Sequence, residues 1–221
     1  MFTIDENIVT AFPGTKMGLL LINGVSCSHS YEESETAADL SQLHQKYAHL
    51  SRKELKAFYP IQNYVSYYKS FGYSYPVLAQ LESVLKGKKT LYTESALLQA
   101  MFLSELDGML LTGGHDLAKL QLPLHLKAAT GTEVYQSISG KEVTTINGDM
   151  MLCDSSGVLS SILRGPDYKS RITASTTEVL FSIYAPPTID SNDLEINLQK
   201  LEKRIKTFSP FSKTVLLQVF S

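Results

Sequence analysis

The alternation of apolar and polar positions changes period twice along the chain. Residues 17–25 form a continuous apolar run closed by Asn23-Gly24, short and turn-bounded as a buried strand is. From about Glu32 the period lengthens: Ala37, Leu40, Leu43, Tyr47 and Leu50 recur at helical spacing with charges between them. Ser51-Arg52-Lys53-Glu54 has the spacing of a capping box, in which hydroxyl and carboxylate satisfy each other's free backbone amides. Pro60 starts or kinks a further helix with Ile61, Tyr64, Tyr68 and Phe71 on one face, and Gly72 is placed to end it. Residues 75–86 and 93–107 predict two more helices, carrying Leu78, Leu81 and Leu85, then Leu98, Met101 and Phe102. The aromatic stripe over 64–75 reads as helix core rather than as a stacking platform.

After Gly108 the texture becomes that of strands. Short apolar or alternating runs at 122–128, 133–138, 142–145, 149–154, 158–163 and 178–184 are punctuated by Thr130-Gly131, Ser139-Gly140, Asn147-Gly148 and Ser156-Gly157. Pro186-Pro187 breaks the chain, and Ser191 to Asp193 offer caps for a final helix. Its Leu194, Leu198, Leu201, Ile205 and Phe208 form a short seam suited to packing on a sheet. Ser209-Pro210 stops it, and 214–220 predicts a closing strand. The pattern implies an α+β fold: helices first, a mostly antiparallel β region next, then a helix and a strand. No repeat, linker or charge block interrupts it, so a single domain over 1–221 is expected.

Composition narrows the function. Of 221 residues 43% are hydrophobic and 19% charged, with a net charge of −2, as in ordinary globular proteins. A domain that coats nucleic acid carries a strong basic excess, which is absent; a local contact is still compatible. The N-terminus lacks the basic and apolar regions of a secretory signal, and no apolar run approaches the roughly 20 residues of a membrane span. Cys27 and Cys153 are far apart, without a Cys-x-x-Cys spacing, and read as reduced thiols. These features predict a cytoplasmic protein without membrane contact. Motifs for dinucleotides, phosphate loops, zinc or an esterase serine are missing, so no cofactor or metal is expected. His44 and His49 stand five apart and are expected in solvent.

Two segments use residues that a fold does not require. In Leu111-Thr112-Gly113-Gly114-His115-Asp116-Leu117, paired glycines let the backbone approach a ligand and leave amides accessible, while Asp116 beside His115 biases its tautomer. A glycine turn between helix and strand is the plainer alternative. The stretch 160–173 places Arg164, Asp167, Lys169, Arg171 and Thr173 around Gly165-Pro166. Arginine offers a planar donor fork for phosphate or carboxylate; the alternative is a surface loop with Asp167 paired to Arg171. Lys86-Gly87-Lys88-Lys89 and the basic residues of 200–206 are further basic clusters, the latter a solvated helix face.

The ordered segments Ala11-Phe12-Pro13-Gly14 with Gly18 and Gly24, Tyr67-Tyr68-Lys69-Ser70-Phe71-Gly72, Leu85-Lys86-Gly87-Lys88, Gly114-His115-Asp116-Leu117-Ala118-Lys119-Leu120 and Thr173-x-x-Thr176 resemble the free-standing B3/B4 domain proteins. These are relatives of the editing module in the beta subunit of phenylalanyl-tRNA synthetase, and the resemblance extends from about residue 8 to 208. It implies hydrolysis of the ester of a mischarged tRNA, without aminoacylation. Positions that carry a Thr-Asn pair and a His in that module fall here on Met101, Phe102 and Gly113, so those roles do not transfer; Asp167 falls near the module's acidic loop residue. The resemblance makes His115 and Asp167 catalytic candidates. Gly113, Gly114, Asp116, Arg164, Arg171 and Thr173 become candidates for binding the tRNA acceptor end. A non-catalytic module for tRNA or an amino-acid-like ligand is the alternative.

Overall fold

A computed structural model describes residues 2–26, 33–87 and 95–221. The elements run β1 (Phe2–Ile4), α1 (Glu6–Ala11), β2 (Lys16–Asn23), α2 (Glu33–Tyr47), α3 (Arg52–Ala57), α4 (Tyr59–Ser70), α5 (Pro76–Leu85), α6 (Ala96–Gly108) and β3 (Thr112–Asp116). After a 3₁₀ turn at Leu117–Lys119 come β4 (Leu124–Ala128), β5 (Val134–Gln136), β6 (Glu142–Thr144), β7 (Met150–Asp154), β8 (Gly157–Ser161) and β9 (Gly165–Pro166). β10 (Glu178–Ala185), α7 (Ser191–Phe208) and β11 (Lys213–Phe220) complete the order. The fold is α+β with mostly antiparallel sheets, as the patterning predicts. No helix among the described residues is long and apolar enough to cross a membrane. Cys27, His29, Lys88 and Lys89 lie outside the described residues.

Two sheets organise the molecule. One has the order β1-β4-β7-β8-β9, with β1 joining β4 in parallel; the other has the order β11-β2-β10-β3 and is antiparallel. The antiparallel register gives the second sheet two distinct faces. Gly18, Leu20 and Ile22 of β2 belong to the face packed by α7: a Cβ on Gly18 would lie 3.2 Å from Leu198. The α7 seam of Leu194, Leu198, Leu201 and Ile205 is fully buried, which confirms its packing on the sheet. The other face carries Leu19 and Leu21, Leu180, Ser182 and Tyr184, and His115 in matching register, and it looks toward the first sheet.

Helix ends follow local chemistry. The Ser51–Glu54 capping box forms in both directions. α7 is capped by Asp190, whose carboxylate accepts from the Asn192 amide, one residue before the predicted caps at Ser191 to Asp193. Tyr64, Tyr67 and Tyr68 of α4 are core, as expected, and the Tyr67 and Tyr68 hydroxyls also tie the helix to the β region. Tyr67 donates to Asp149 at 2.6 Å and accepts from the Met150 amide, while Tyr68 donates to the Ile162 carbonyl. Asp149, fully buried, also accepts from Ser161 and from the Leu163 amide. Burial raises the Asp149 carboxyl above its usual range, opposed by these bonds.

Candidate functional site

The segment containing Gly113 and Gly114 is a strand and not a glycine turn. β3 pairs with β10 along its length, Gly113 opposite Ser182 and His115 opposite Leu180. Small residues suit this edge because the neighbours are close. A Cβ on Gly114 would lie 3.0 Å from Ile172, Met101 and Phe181. The amides of Thr112 and Asp116 turn away from β10, to Glu105 and the Ser170 carbonyl. The antiparallel alternation turns the Gly114 amide the same way, whereas Gly113 faces the ladder.

His115 is the centre of a polar network between the two sheets. Its side chain has no exposed area. The Ser170 hydroxyl and amide both donate to Asp167, so Ser170 Oγ is left to accept from His115 Nδ1 at 2.7 Å. The proton therefore sits on Nδ1, and Nε2 is the acceptor. Asp167 lies 3.8 Å from Nδ1 and acts through Ser170 rather than by direct contact. Burial drives the imidazole pKa down to about 4, the nearby Asp154 opposing it, so the ring is neutral at physiological pH. Burial likewise raises the Asp167 carboxyl, with the Ser170 bonds opposing it. His115 and Asp167 are therefore coupled as neutral base and orienting acid, not as an ion pair.

Beyond Nε2 stand two hydroxyls: Ser160, at the start of the 160–173 stretch, and Ser182, which the sequence pattern does not single out. Ser160 Oγ lies at 3.5 Å and is bonded to the Tyr184 hydroxyl. Ser182 is fully buried, and among the described residues its Oγ has no hydrogen-bond partner. A Cβ on Gly113 would meet Ser182 Oγ at 3.1 Å and His115 Nε2 at 3.7 Å, so both line the same small space. The only sequence signal for Ser182 was a polar residue inside an otherwise apolar strand. The opposite end of the inter-sheet space is apolar, a cavity of about 290 Å³ walled by Leu19, Leu21, Leu180 and Phe220.

The other candidates separate into supports and surface groups. Asp116 accepts from Ala118 N and from the Thr176 hydroxyl, tying the 173–176 turn to β3. Thr173 donates its amide to Thr176 Oγ1 and lies in the same turn. Arg164 is exposed and donates to the Thr144 carbonyl. Arg171 stacks 3.6 Å above the Tyr168 ring and donates to the Tyr168 carbonyl, so it does not pair with Asp167. Met101 is buried against Gly114 of β3, and Phe102 is half-buried. Arg204, in the helix face read as solvated, is instead largely buried against Asp39 and Ser104. His44 and His49 are exposed, and Cys153 is a buried free thiol whose pKa burial pushes up to about 11. No cluster of three His, Cys, Asp or Glu side chains suited to a metal occurs among the described residues.

No family model matches the chain, and no curated protein matches it. Among solved structures it is similar to an N-terminal fragment of the phenylalanyl-tRNA synthetase beta subunit from Pyrococcus horikoshii, with 14% identity and a TM-score of 0.50. The match covers 97% of this chain and 50% of that one, so the chain spans half the fragment's length. At this identity the likeness is one of fold: the chain has an α+β architecture like that found in the synthetase beta-subunit fragment.

Proposed function

We propose that the chain is an editing-type domain that hydrolyses the ester of a mischarged tRNA in trans, with no aminoacylation activity of its own. The observation that carries this reading is the Asp167–Ser170–His115 relay, which leaves a neutral imidazole with an acceptor nitrogen beside Gly113 and Ser182. The beta-subunit fold and the resemblance to B3/B4 proteins supply the substrate class. An aminoacyl ester is already activated, so a positioned water and a stabilised oxyanion suffice. In this reading water adds to the ester carbonyl while its proton passes to His115 Nε2. The ester C–O bond then breaks, and the proton goes on to the leaving ribose oxygen. The outward Gly114 amide is the candidate oxyanion donor. Arg164 and Arg171 meet the phosphate or terminal ribose of the acceptor end, and Asp116 and Thr173 hold the adjoining turn.

The full burial of His115 sets a condition: segment 164–176 must open for the ester to reach Nε2. The same burial favours a second reading, a non-catalytic module for tRNA or an amino-acid-like ligand, in which the network only holds the sheets together. Deacylation of a panel of mischarged tRNAs by the pure protein separates the two. Turnover abolished by His115→Gln supports hydrolysis. Rates equal to buffer on every tRNA, with salt-sensitive tRNA binding retained, leave the binding module.

A further inference from the structure

A second recess opens on the helical side of the molecule, where α7 crosses the end of α6. It is a cavity of about 300 Å³ between α6, α7, α2 and the start of α4. Its floor is unusually close-packed. A Cβ on Gly108 would lie 1.8 Å from Asn197 Nδ2, so this position is glycine because the Asn197 amide occupies the space. Asn197 is 2% exposed. Its Nδ2 donates to the Ser104 carbonyl at 3.0 Å, which sets the orientation of the amide, and among the described residues its Oδ1 accepts from nothing. A buried carbonyl without a donor is costly to keep, and here it belongs to a side chain lining a cavity.

The groups around Asn197 come in both signs. On α7, Asp193 and Lys200 stand four residues before and three after it, on the same helical stripe. Lys46 approaches from α2. Asp107, at the end of α6, takes one donor from Lys200 and one from Lys46, whose ammonium also reaches the Asp107 carbonyl. Lys200 thus has donors left for a ligand. The wall opposite α7 is aromatic: Phe58 and Tyr59 remain 37% and 47% exposed. A simple anion would meet Asp107 and Asp193, and a simple cation would meet Lys46 and Lys200. A ligand carrying both charges at short separation, with an apolar body, matches the whole set.

We propose that this recess binds a free α-amino acid with an apolar or aromatic side chain as its zwitterion. The ammonium lies against the Asp193 carboxylate above the Asn197 floor, the carboxylate faces Lys200 and Lys46, and the side chain rests on Phe58 and Tyr59. The recess and the His115 network lie on opposite sides of the four-stranded sheet. The proposal therefore stands whether or not that network acts on tRNA.

The test is calorimetric titration of the full chain with L-phenylalanine and L-leucine, alongside phenethylamine, N-acetyl-L-phenylalanine and AMP. Saturable binding of an amino acid is expected, weakened about tenfold or more when either ligand charge is removed. Asp193→Asn and Lys200→Ala should each weaken it by a similar factor while circular dichroism stays unchanged, and the Asn197 side-chain amide resonance should shift on binding. The proposal is overturned if neither amino acid saturates, or if AMP binds more tightly. Binding that ignores both substitutions and leaves the Asn197 resonance in place would overturn it equally, by locating the ligand elsewhere.

Discussion

At the scale of the residue, His115 shows how little its neighbours in sequence say about its state. Asp116, adjacent in the chain, turns away to cap the following turn, while the residues that hold the imidazole come from 45 to 55 positions downstream. A histidine beside paired glycines was visible in the sequence as an oddity; the Ser170 relay and the unpartnered Ser182 were not, because strand pairing alone brings them together. The burial has a measurable consequence. Unfolded, the ring titrates near 6.5; folded, near 4. Between those values the unfolded chain binds a proton that the native state refuses, so stability is complete above pH 6.5 and falls as pH drops toward 4. The loss should be about 3 kcal/mol at roughly 1.4 kcal/mol per pH unit. Urea unfolding of the parent and His115→Gln across this range checks it: the difference between them should shrink as pH falls, and parallel curves would refute a buried neutral imidazole.

At the scale of the element, the junction between α6 and β3 concentrates what patterning could not supply. Periodicity predicts both α6 and the strands after Gly108, and the capping box of α3 is written in four consecutive residues. β3 was not legible, since two glycines and a His-Asp pair have no strand signature; its pairing with β10 decides it. Gly108 stays helical and Met109 takes the left-handed conformation, φ 55°, an order imposed by Asn197 of a helix ninety residues away. Gly108→Ala should therefore cost about 3 kcal/mol by overpacking, despite the better helix propensity of alanine, as thermal unfolding would show. Glu105, buried where α6 meets β3, accepts from the Thr112 amide, and burial drives its pKa up to about 8 against that bond. The unfolded carboxyl loses its proton from about pH 4.5 upward while the native one retains it, so stability is greatest below 4.5 and is lost as pH rises to 8. Glu105→Gln keeps an acceptor for Thr112 and should be more stable than the parent by about 3 kcal/mol at pH 7, with little difference at pH 4.

At the scale of the molecule, the space between the sheets is divided: hydroxyls, His115 and Asp167 at the β3 and β8 end, leucines and Phe220 at the β1 and β11 end. Surface charge follows a similar economy. With a net charge of −2, any tRNA contact rests on a few side chains, Arg164, Lys169 and Arg171 foremost. Binding to tRNA should then depend weakly on salt, with a log–log slope of about −2 for three phosphate contacts at the single-stranded end. Arg171→Ala should reduce the magnitude of that slope by about 0.7, one contact's share. A steep slope, or one unchanged by the substitution, would place the RNA on another surface. By itself the sequence determined the helices from α2 onward, most strands, the caps written in adjacent residues and the α+β class, because periodicity and turn chemistry act over a few positions; the short β1 and α1 hold too few residues to show a period. The tertiary structure alone decided which residues share a site. The His115 relay, the orphan hydroxyl of Ser182 and the Asn197 recess each join residues from distant elements, and their protonation and exposure are set by burial that no local pattern encodes.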